Sequence, residues 1–384
     1  MEGSGVLQVI RPAGGGMLAH VRLLLEGLVS RGFAVAVACP GTGGVREVLA
    51  ESGVPVYPLY LPGEISPAHD LADIGRLALV LRTGLIGLVH AHGLKAALVA
   101  LAAARLAGRV STVYTAHGAT PALDGSLMQL RQKAAAGILR RYDCLVAVSK
   151  HTRQTLTTAF SLGPAPVHVI YNGIEVPRVI PPKGALLPGG GPLVGMVARL
   201  APRKGVEVFL QAARLILQEC PRTRFLVAGD GPLWPELKKL AEELGLDGRL
   251  FFTGRLTEAA GLMSFLDVFV LPSRQEGLPL ALLEAMARAR PVVASRTGGI
   301  PEVLTDGTGI MVPPGDAPAL AAQVVRLLDD RTLADQMGRA ARQRVLSRFG
   351  ADRMQEETAA LYRRILAGES PARETRALEG VSGA

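Results

Sequence analysis

The sequence predicts an α/β protein built from two doubly wound parallel sheets, and three observations lead there. Short apolar runs rich in β-branched residues alternate with alanine- and leucine-rich helical stretches. The alternation stops at the Pro/Gly-rich "PPKGALLPGGG" of residues 181–191 and then starts again. A chain of 384 residues is also longer than one core ordinarily serves, so the restart reads as a second domain.

In order, the first half offers the strands "VLQVI", "AVAVAC", "LVHAH", "VYTAHG", "CLVAVS" and "VHVIYNG"; the second offers "LVGMVAR", "RFLVAGDG", "LFFTG", "VFVLPS", "PVVAS" and "GIMVPP". Continuous apolar runs of this kind belong to strands covered by helices on both faces. The expected division is a first Rossmann-like domain over 1–183, a second over 190–348, a helix over 349–367 returning to the first domain, and a disordered tail over 368–384. In such sheets ligands bind beyond the carboxyl ends of the strands, and the cleft between two such domains is the expected site.

Composition narrows the function. Hydrophobic residues make up 49% and charged residues 20%, enough apolar matter for sizeable cores. Arg82, Lys95 and Arg105 interrupt the most apolar region, and the N-terminus lacks a signal-peptide pattern, so the expected location is the cytoplasm. Cys39, Cys144 and Cys220 stand far apart without metal-ligand spacing and are expected to be inert thiols. Of the formal net charge of +9, +7 falls within residues 1–185. With aromatics at only 4% and no nucleic-acid-binding motif, that excess points away from nucleic acid and towards phosphorylated small molecules or anionic lipid.

The candidate residues follow the strands. Gly14, Gly15 and Gly16 precede a helix starting near Met17, where free amides could cradle an anion; a plain tight turn explains them equally well. Arg199 and Lys204 follow the first strand of the second half and suit a diphosphate, though either could be a solvated loop charge. In "PSRQEGLPLALLEAMA" (272–287), Glu276 falls in a strand-to-helix loop, with the Gly277 and Leu278 amides beside it, and Glu284 falls inside a helix from about Pro279 to Arg288. Leu280, Leu282, Leu283 and Met286 surround Glu284, a setting in which a carboxylate needs a partner. His117 closes a strand in an "HG" turn. The "HAH" of 90–92 alternates faces and has no third ligand near it in sequence, so it reads as structural or acceptor-lining, and no metal site is expected. Arg255 and Glu302 complete the set.

"EGLPLALLE" resembles the E-x7-E motif of the family-4 retaining glycosyltransferases of the GT-B fold. The likeness extends in order through the glycine loop at 14–16, "YTAHG" (114–118), "VSKHTR" (148–153), "IYNGIE" (170–175), "ARLAPRKG" (198–205), "AGDGP" (228–232) and "TGGIPEV" (297–303), nearly the whole chain. The resemblance implies two Rossmann-like domains facing across a cleft. It implies that Glu276, with the amides of Gly277 and Leu278, binds the donor sugar, that Glu284 binds the ribose, and that Arg199 and Lys204 neutralise the diphosphate. His117 would lie near the reacting sugar, Gly15 and Gly16 beside phosphate and acceptor, and Arg255 by the base. No D-x-D occurs, which agrees with a family needing neither metal nor other cofactor.

The implied activity is retaining, metal-independent transfer of a hexose-type sugar from a nucleotide-diphosphate donor to an acceptor glycan or lipid-linked sugar, in cell-envelope polysaccharide or glycolipid synthesis. Two alternatives stay open: a sugar-nucleotide epimerase of similar fold, and a non-catalytic nucleotide-sugar-binding protein. The stretch 127–143 adds an expectation about location. Leu127, Leu130, Ala134 and Ile138 form a helical stripe, with Lys133 and Arg140 on another face that would hold the protein at the anionic inner face of a membrane.

Overall fold

The computed structural model describes residues 5–11, 15–41, 45–62, 66–108, 110–118, 126–162, 167–179, 190–256 and 259–369, with side chains omitted at 126–131 and 259. The chain divides into two compact units, one running to Gly173 and resuming at Ala351, the other Ile174–Gly350. The first boundary therefore falls before the Pro/Gly-rich stretch, most of which lies outside the described residues. Where the chain leaves and rejoins the first unit, the Ile174 amide donates to the Phe349 carbonyl at 3.0 Å, and Ile174 forms a parallel bridge with Gly350.

The first unit holds seven parallel strands: β1 Gly5–Ile10, β2 Val35–Pro40, β3 Val56–Leu59, β4 Ile86–His92, β5 Ser111–Ala116, β6 Cys144–Ala147 and β7 Val167–Val169. Their order is β3-β2-β1-β4-β5-β6-β7. The direction of winding reverses between β1 and β4, which is where such a sheet opens a crevice at its carboxyl edge. β3 is absent from the sequence reading. Its "VYPL" is half-exposed and contains Pro58, which an edge strand tolerates because one side of its ladder is unpaired.

The second unit repeats the plan with β8 Leu193–Val197, β9 Arg224–Ala228, β10 Leu250–Gly254, β11 Val268–Leu271, β12 Val292–Ser295 and β13 Ile310–Val312. All pair in parallel in the order β10-β9-β8-β11-β12-β13, so the reversal falls between β8 and β11. The helix Val206–Glu219 buries Val206, Phe209, Leu210, Ala213 and Ile216 against this sheet, apolar positions at helical spacing. Asp316 and Asp330 cap two later helices by accepting from the amides of Ala319 and Leu333 at 2.8 and 2.9 Å.

The last described helix, Ala351–Leu366, belongs to the first unit. Its Met354, Ala359, Leu361, Tyr362 and Ile365 join a core cluster with Val6, Ile10, Val21 and Leu24. Gln355 donates to the Leu23 carbonyl at 2.8 Å. The side chain of Gln355 occupies the space a Cβ on Gly27 would need, so the glycine sets how closely this helix meets Gly16–Ser30.

The helix Ser126–Leu139 corrects one expectation. Ala134 is exposed, whereas Ala136 and Leu139 are buried, with Ala135 and Ile138 packed against the core; Leu127 and Leu130 lie among the side chains not described. Of the anticipated stripe Ile138 keeps its place against the core and Ala134 does not, while Ala136 and Leu139 take part instead. Arg140 donates to the carbonyls of Phe160 and Ser161 at 3.1 and 2.8 Å, so its guanidinium closes another helix's C-terminus, while Lys133 is exposed.

Candidate active site

Each unit gathers its chemistry at its own reversal point. In the second unit, β8 ends at Val197 and the chain passes through exposed Arg199 into the short turn Pro202–Lys204. Gly205 follows with φ 62°, and a Cβ there would collide with the Pro272 carbonyl, so glycine lets the turn after β8 lie against the loop after β11. Backbone bonds join the two: the amides of Arg274 and Gln275 donate to the Arg203 carbonyl at 2.8 and 3.3 Å.

That junction brings Lys204 to Glu276. Lys204 Nζ donates to Glu276 Oε1 at 2.6 Å, with only 15% and 5% of the two side chains exposed. Ser273 Oγ donates to the same oxygen at 2.7 Å. Gly298, at φ 58°, packs so closely on the Glu276 carbonyl that a Cβ would collide with it, and the Gly299 amide donates to the Gly277 carbonyl at 2.9 Å. The Glu276 loop is thus fixed from both sides. Sequence reading missed Ser273 and Gly298, although Ser273 stands three residues before Glu276 in the quoted motif and was visible there.

The helix after this loop is Leu280–Ala287, with Pro279 at its N-cap. Leu282, Leu283, Ala285 and Met286 are buried and Glu284 is half-buried. Burial pushes the Glu284 carboxyl above its usual pKa, with Arg288 one turn on pulling the other way. Arg255 follows β10 at the sheet edge, where its charge partner is Asp230 at 4.0 Å. The structure does not group it with Lys204 and Glu276.

In the first unit, Gly15 is the N-cap of Gly16–Ser30 with φ 58°, and nothing lies within 4 Å of where its Cβ would be. Gly14 lies outside the described residues. Behind this turn four histidines converge: His20 on the helix after β1, His90 and His92 in β4, and His117 just past β5. His92 Nδ1 lies 2.9 Å from His117 Nε2, and His20 packs edge-on against His117 with ring centroids 4.7 Å apart.

The tertiary structure therefore supplies the further histidines that sequence spacing did not offer to "HAH". His90, His92 and His117 sit at, or just beyond, the carboxyl ends of β4 and β5, and His20 reaches them from the helix that follows β1. His20, His92 and His117 offer one nitrogen each, all within 4.8 Å of one another. The 2.9 Å contact is nevertheless shorter than the roughly 3.3 Å separating two nitrogens on a tetrahedral zinc ion, and suits a shared proton better than a shared ion.

Burial holds all four imidazoles neutral. It lowers the His20 pKa to about 4 against the opposing pull of the Asn172 side chain. The pKa values of His90, His92 and His117 lie well below the usual histidine range, chiefly through burial and secondarily through their histidine neighbours; Arg11 also lowers His117. Such a cluster can donate and accept hydrogen bonds without carrying charge.

With these sites described, the likeness to known proteins becomes specific. Residues 191–330 match the family described as Glycosyl transferases group 1, and residues 14–178 match Glycosyltransferase Family 4. The glycogen synthase of Mycobacterium tuberculosis is 33% identical over 289 residues, covering 73% of this chain and 69% of that protein. An Escherichia coli UDP-Gal:alpha-D-GlcNAc-diphosphoundecaprenol alpha-1,3-galactosyltransferase is 28% identical over 375 residues, 90% of this chain and 96% of that protein. Among solved structures, Anabaena Alr3699/HepE in complex with UDP and glucose superposes with a TM-score of 0.78 at 22% identity, covering 93% of this chain and 99% of that one.

Proposed function

The chain belongs to the family-4 glycosyltransferases of the GT-B fold, and on that premise we propose that it transfers a hexose-type sugar from a nucleotide-diphosphate donor to an acceptor hydroxyl with retention of configuration. The observation that carries this reading is the Lys204–Glu276 pair, held by Ser273 at the second unit's reversal point. A donor diphosphate would take Lys204, with Arg199, as its cationic partner and leave the Glu276 carboxylate to the sugar hydroxyls. As the glycosidic bond breaks, charge grows on the diphosphate, and cations already in place stabilise it without a metal ion.

Glu284 accepts from the ribose, the amides of Gly277 and Leu278 assist at the sugar, and Arg255 lies towards the base. His117 touches the reacting sugar, and Gly15 and Gly16 border phosphate and acceptor. The departing diphosphate takes the acceptor proton in a front-face displacement, since among the described residues no carboxylate pair of the glycosidase kind is placed to favour a covalent intermediate on Glu276.

The acceptor is a glycan or lipid-linked sugar in envelope polysaccharide or glycolipid synthesis. Support comes from the first half's share of the charge and from the lipid-linked substrate named for the Escherichia coli relative. No helix among the described residues is long and apolar enough to cross a membrane. Peripheral attachment at the inner face, through exposed cations such as Lys133, would bring the enzyme to such an acceptor. Sedimentation with anionic vesicles should then fall with salt and with Lys133→Glu; no binding at low salt would leave a soluble acceptor.

The deciding experiment screens sugar nucleotides for thermal stabilisation, then for transfer. A true donor at a hundred times its Kd should add about 2.7 kcal/mol of stability to the native chain. The transferred sugar should keep its anomeric configuration. Conversion of the donor to an isomer without an acceptor would mean an epimerase, and stabilisation without turnover a binding protein.

A further inference from the structure

His117 stands at one end of a file of buried hydrogen bonds that crosses the first unit to the last described helix, Ala351–Leu366. Its Nε2 meets His92 Nδ1 at 2.9 Å; His92 Nε2 meets Gln8 Oε1 at 2.8 Å; Gln8 Nε2 donates to the Tyr362 hydroxyl at 3.0 Å. The same hydroxyl bonds His90 Nδ1, and His90 Nε2 meets Thr115 Oγ1 at 2.7 Å. Gln8, His90, His92, Thr115 and Tyr362 are each at most 2% exposed, so water does not compete for these bonds.

A file of neutral groups must have a direction, because each imidazole has one donor nitrogen and one acceptor. The Gln8 amide sets it. Its nitrogen is spent on Tyr362, so its oxygen faces His92 and requires a proton on His92 Nε2. His92 Nδ1 is then a lone pair, and the proton in the next contact belongs to His117 Nε2. On the other side the Tyr362 hydroxyl, accepting from Gln8, donates to His90 Nδ1, and His90 Nε2–H donates to Thr115.

We propose that Gln8 and Tyr362 are positioning residues that act through His92 to hold His117 as the tautomer protonated on Nε2, leaving unprotonated Nδ1 as the nitrogen available to a sugar hydroxyl. The proposal rests on the reading that His117 touches the donor sugar, and it deepens that reading. His117 accepts a hydrogen bond from the sugar, and a residue of the helix Ala351–Leu366, 245 positions on in sequence, decides that it does. Tyr362 is useful here because a hydroxyl can accept from Gln8 and donate to His90 at once, which Phe cannot.

The first test needs no variant. In a long-range proton–nitrogen NMR spectrum of the 15N-labelled full chain, His117, His92 and His90 should each show the Nε2-protonated pattern. A proton on His117 Nδ1, or a metal in place of the Nε2 proton, would overturn the proposal. Tyr362→Phe removes one oxygen and frees the Gln8 amide to turn, so His92 and His117 should become tautomer mixtures. With a donor in hand, kcat should fall about tenfold while donor KM stays within about twofold. Unchanged tautomers and unchanged kcat in a folded Tyr362→Phe would overturn the role of Tyr362. Should the chain transfer no sugar, the kinetic arm fails with the proposed function, whereas the tautomers still decide this proposal.

Discussion

The two reversal points share one topology and hold opposite chemistry. In the second unit, charge is kept: Lys204 and Glu276 pair at 2.6 Å behind a loop pinned by glycines at φ 62° and 58°. In the first unit charge is removed: four imidazoles are packed so that burial keeps them neutral. The comparison teaches that the carboxyl edge of a wound sheet supplies only a place. The residues put there decide whether it answers a phosphate's charge or a hydroxyl's hydrogen bonds.

The largest effect should come from removing the cation. Lys204→Ala should lower kcat/KM about a hundredfold, near 3 kcal/mol of transition-state stabilisation. Leaving Glu276 buried without its cation should also cost stability, on the order of 3 kcal/mol. Lys204→Met combined with Glu276→Gln should recover much of that stability and none of the activity. Recovery of both in steady-state assays would contradict the assignment.

The neutral cluster should respond to acid in the opposite sense to a cationic one. The His20 pKa is depressed to about 4, so the unfolded chain binds its proton first as pH falls. His20's contribution is present above about pH 6.5 and is lost on the way down to about pH 4. Each pH unit of that window is worth about 1.4 kcal/mol, so His20 alone should remove about 3 kcal/mol, readable in denaturant melts. His20→Gln should flatten that slope, and kcat should show no acid limb from His117 between pH 8 and 6.

A smaller effect should separate the two glutamates. Glu284→Gln should raise donor KM about tenfold and leave kcat within about twofold, because ribose does not react, whereas Glu276→Gln should also lower kcat. Equal changes in KM alone for both would merge the two roles. The smallest effect should be that of a chelator: turnover should survive it, and loss restored by manganese would return the diphosphate to a metal ion.

Much of the fold was legible because strands covered by helices are apolar runs, and twelve of the thirteen described strands answer to such runs in the sequence. β3 was not legible: half-exposed and bearing Pro58, it follows the rules of an edge. In Ser126–Leu139 Ile138 meets the core as its spacing suggested, but Ala134 does not, because the neighbouring core reaches Ala136 and Leu139 instead. At the site, Arg199, Lys204 and Glu276 could be singled out from residue type and place after a strand, and Glu284 from its apolar neighbours within a helix. Ser273 and Gly298 matter through contacts with Glu276 that no residue type announces.

By itself the sequence determined the alternation, the restart and the charged residues at the strand ends, since hydrophobic period and turn chemistry act over a few neighbours. Only the tertiary structure decided that His20, His90, His92 and His117 form one neutral cluster and that Tyr362 reaches it through Gln8. The physical reason is burial. A histidine's protonation and tautomer follow from which groups replace its water, and here those groups come from β1, β4, β5 and the helices Gly16–Ser30 and Ala351–Leu366, brought together by packing alone.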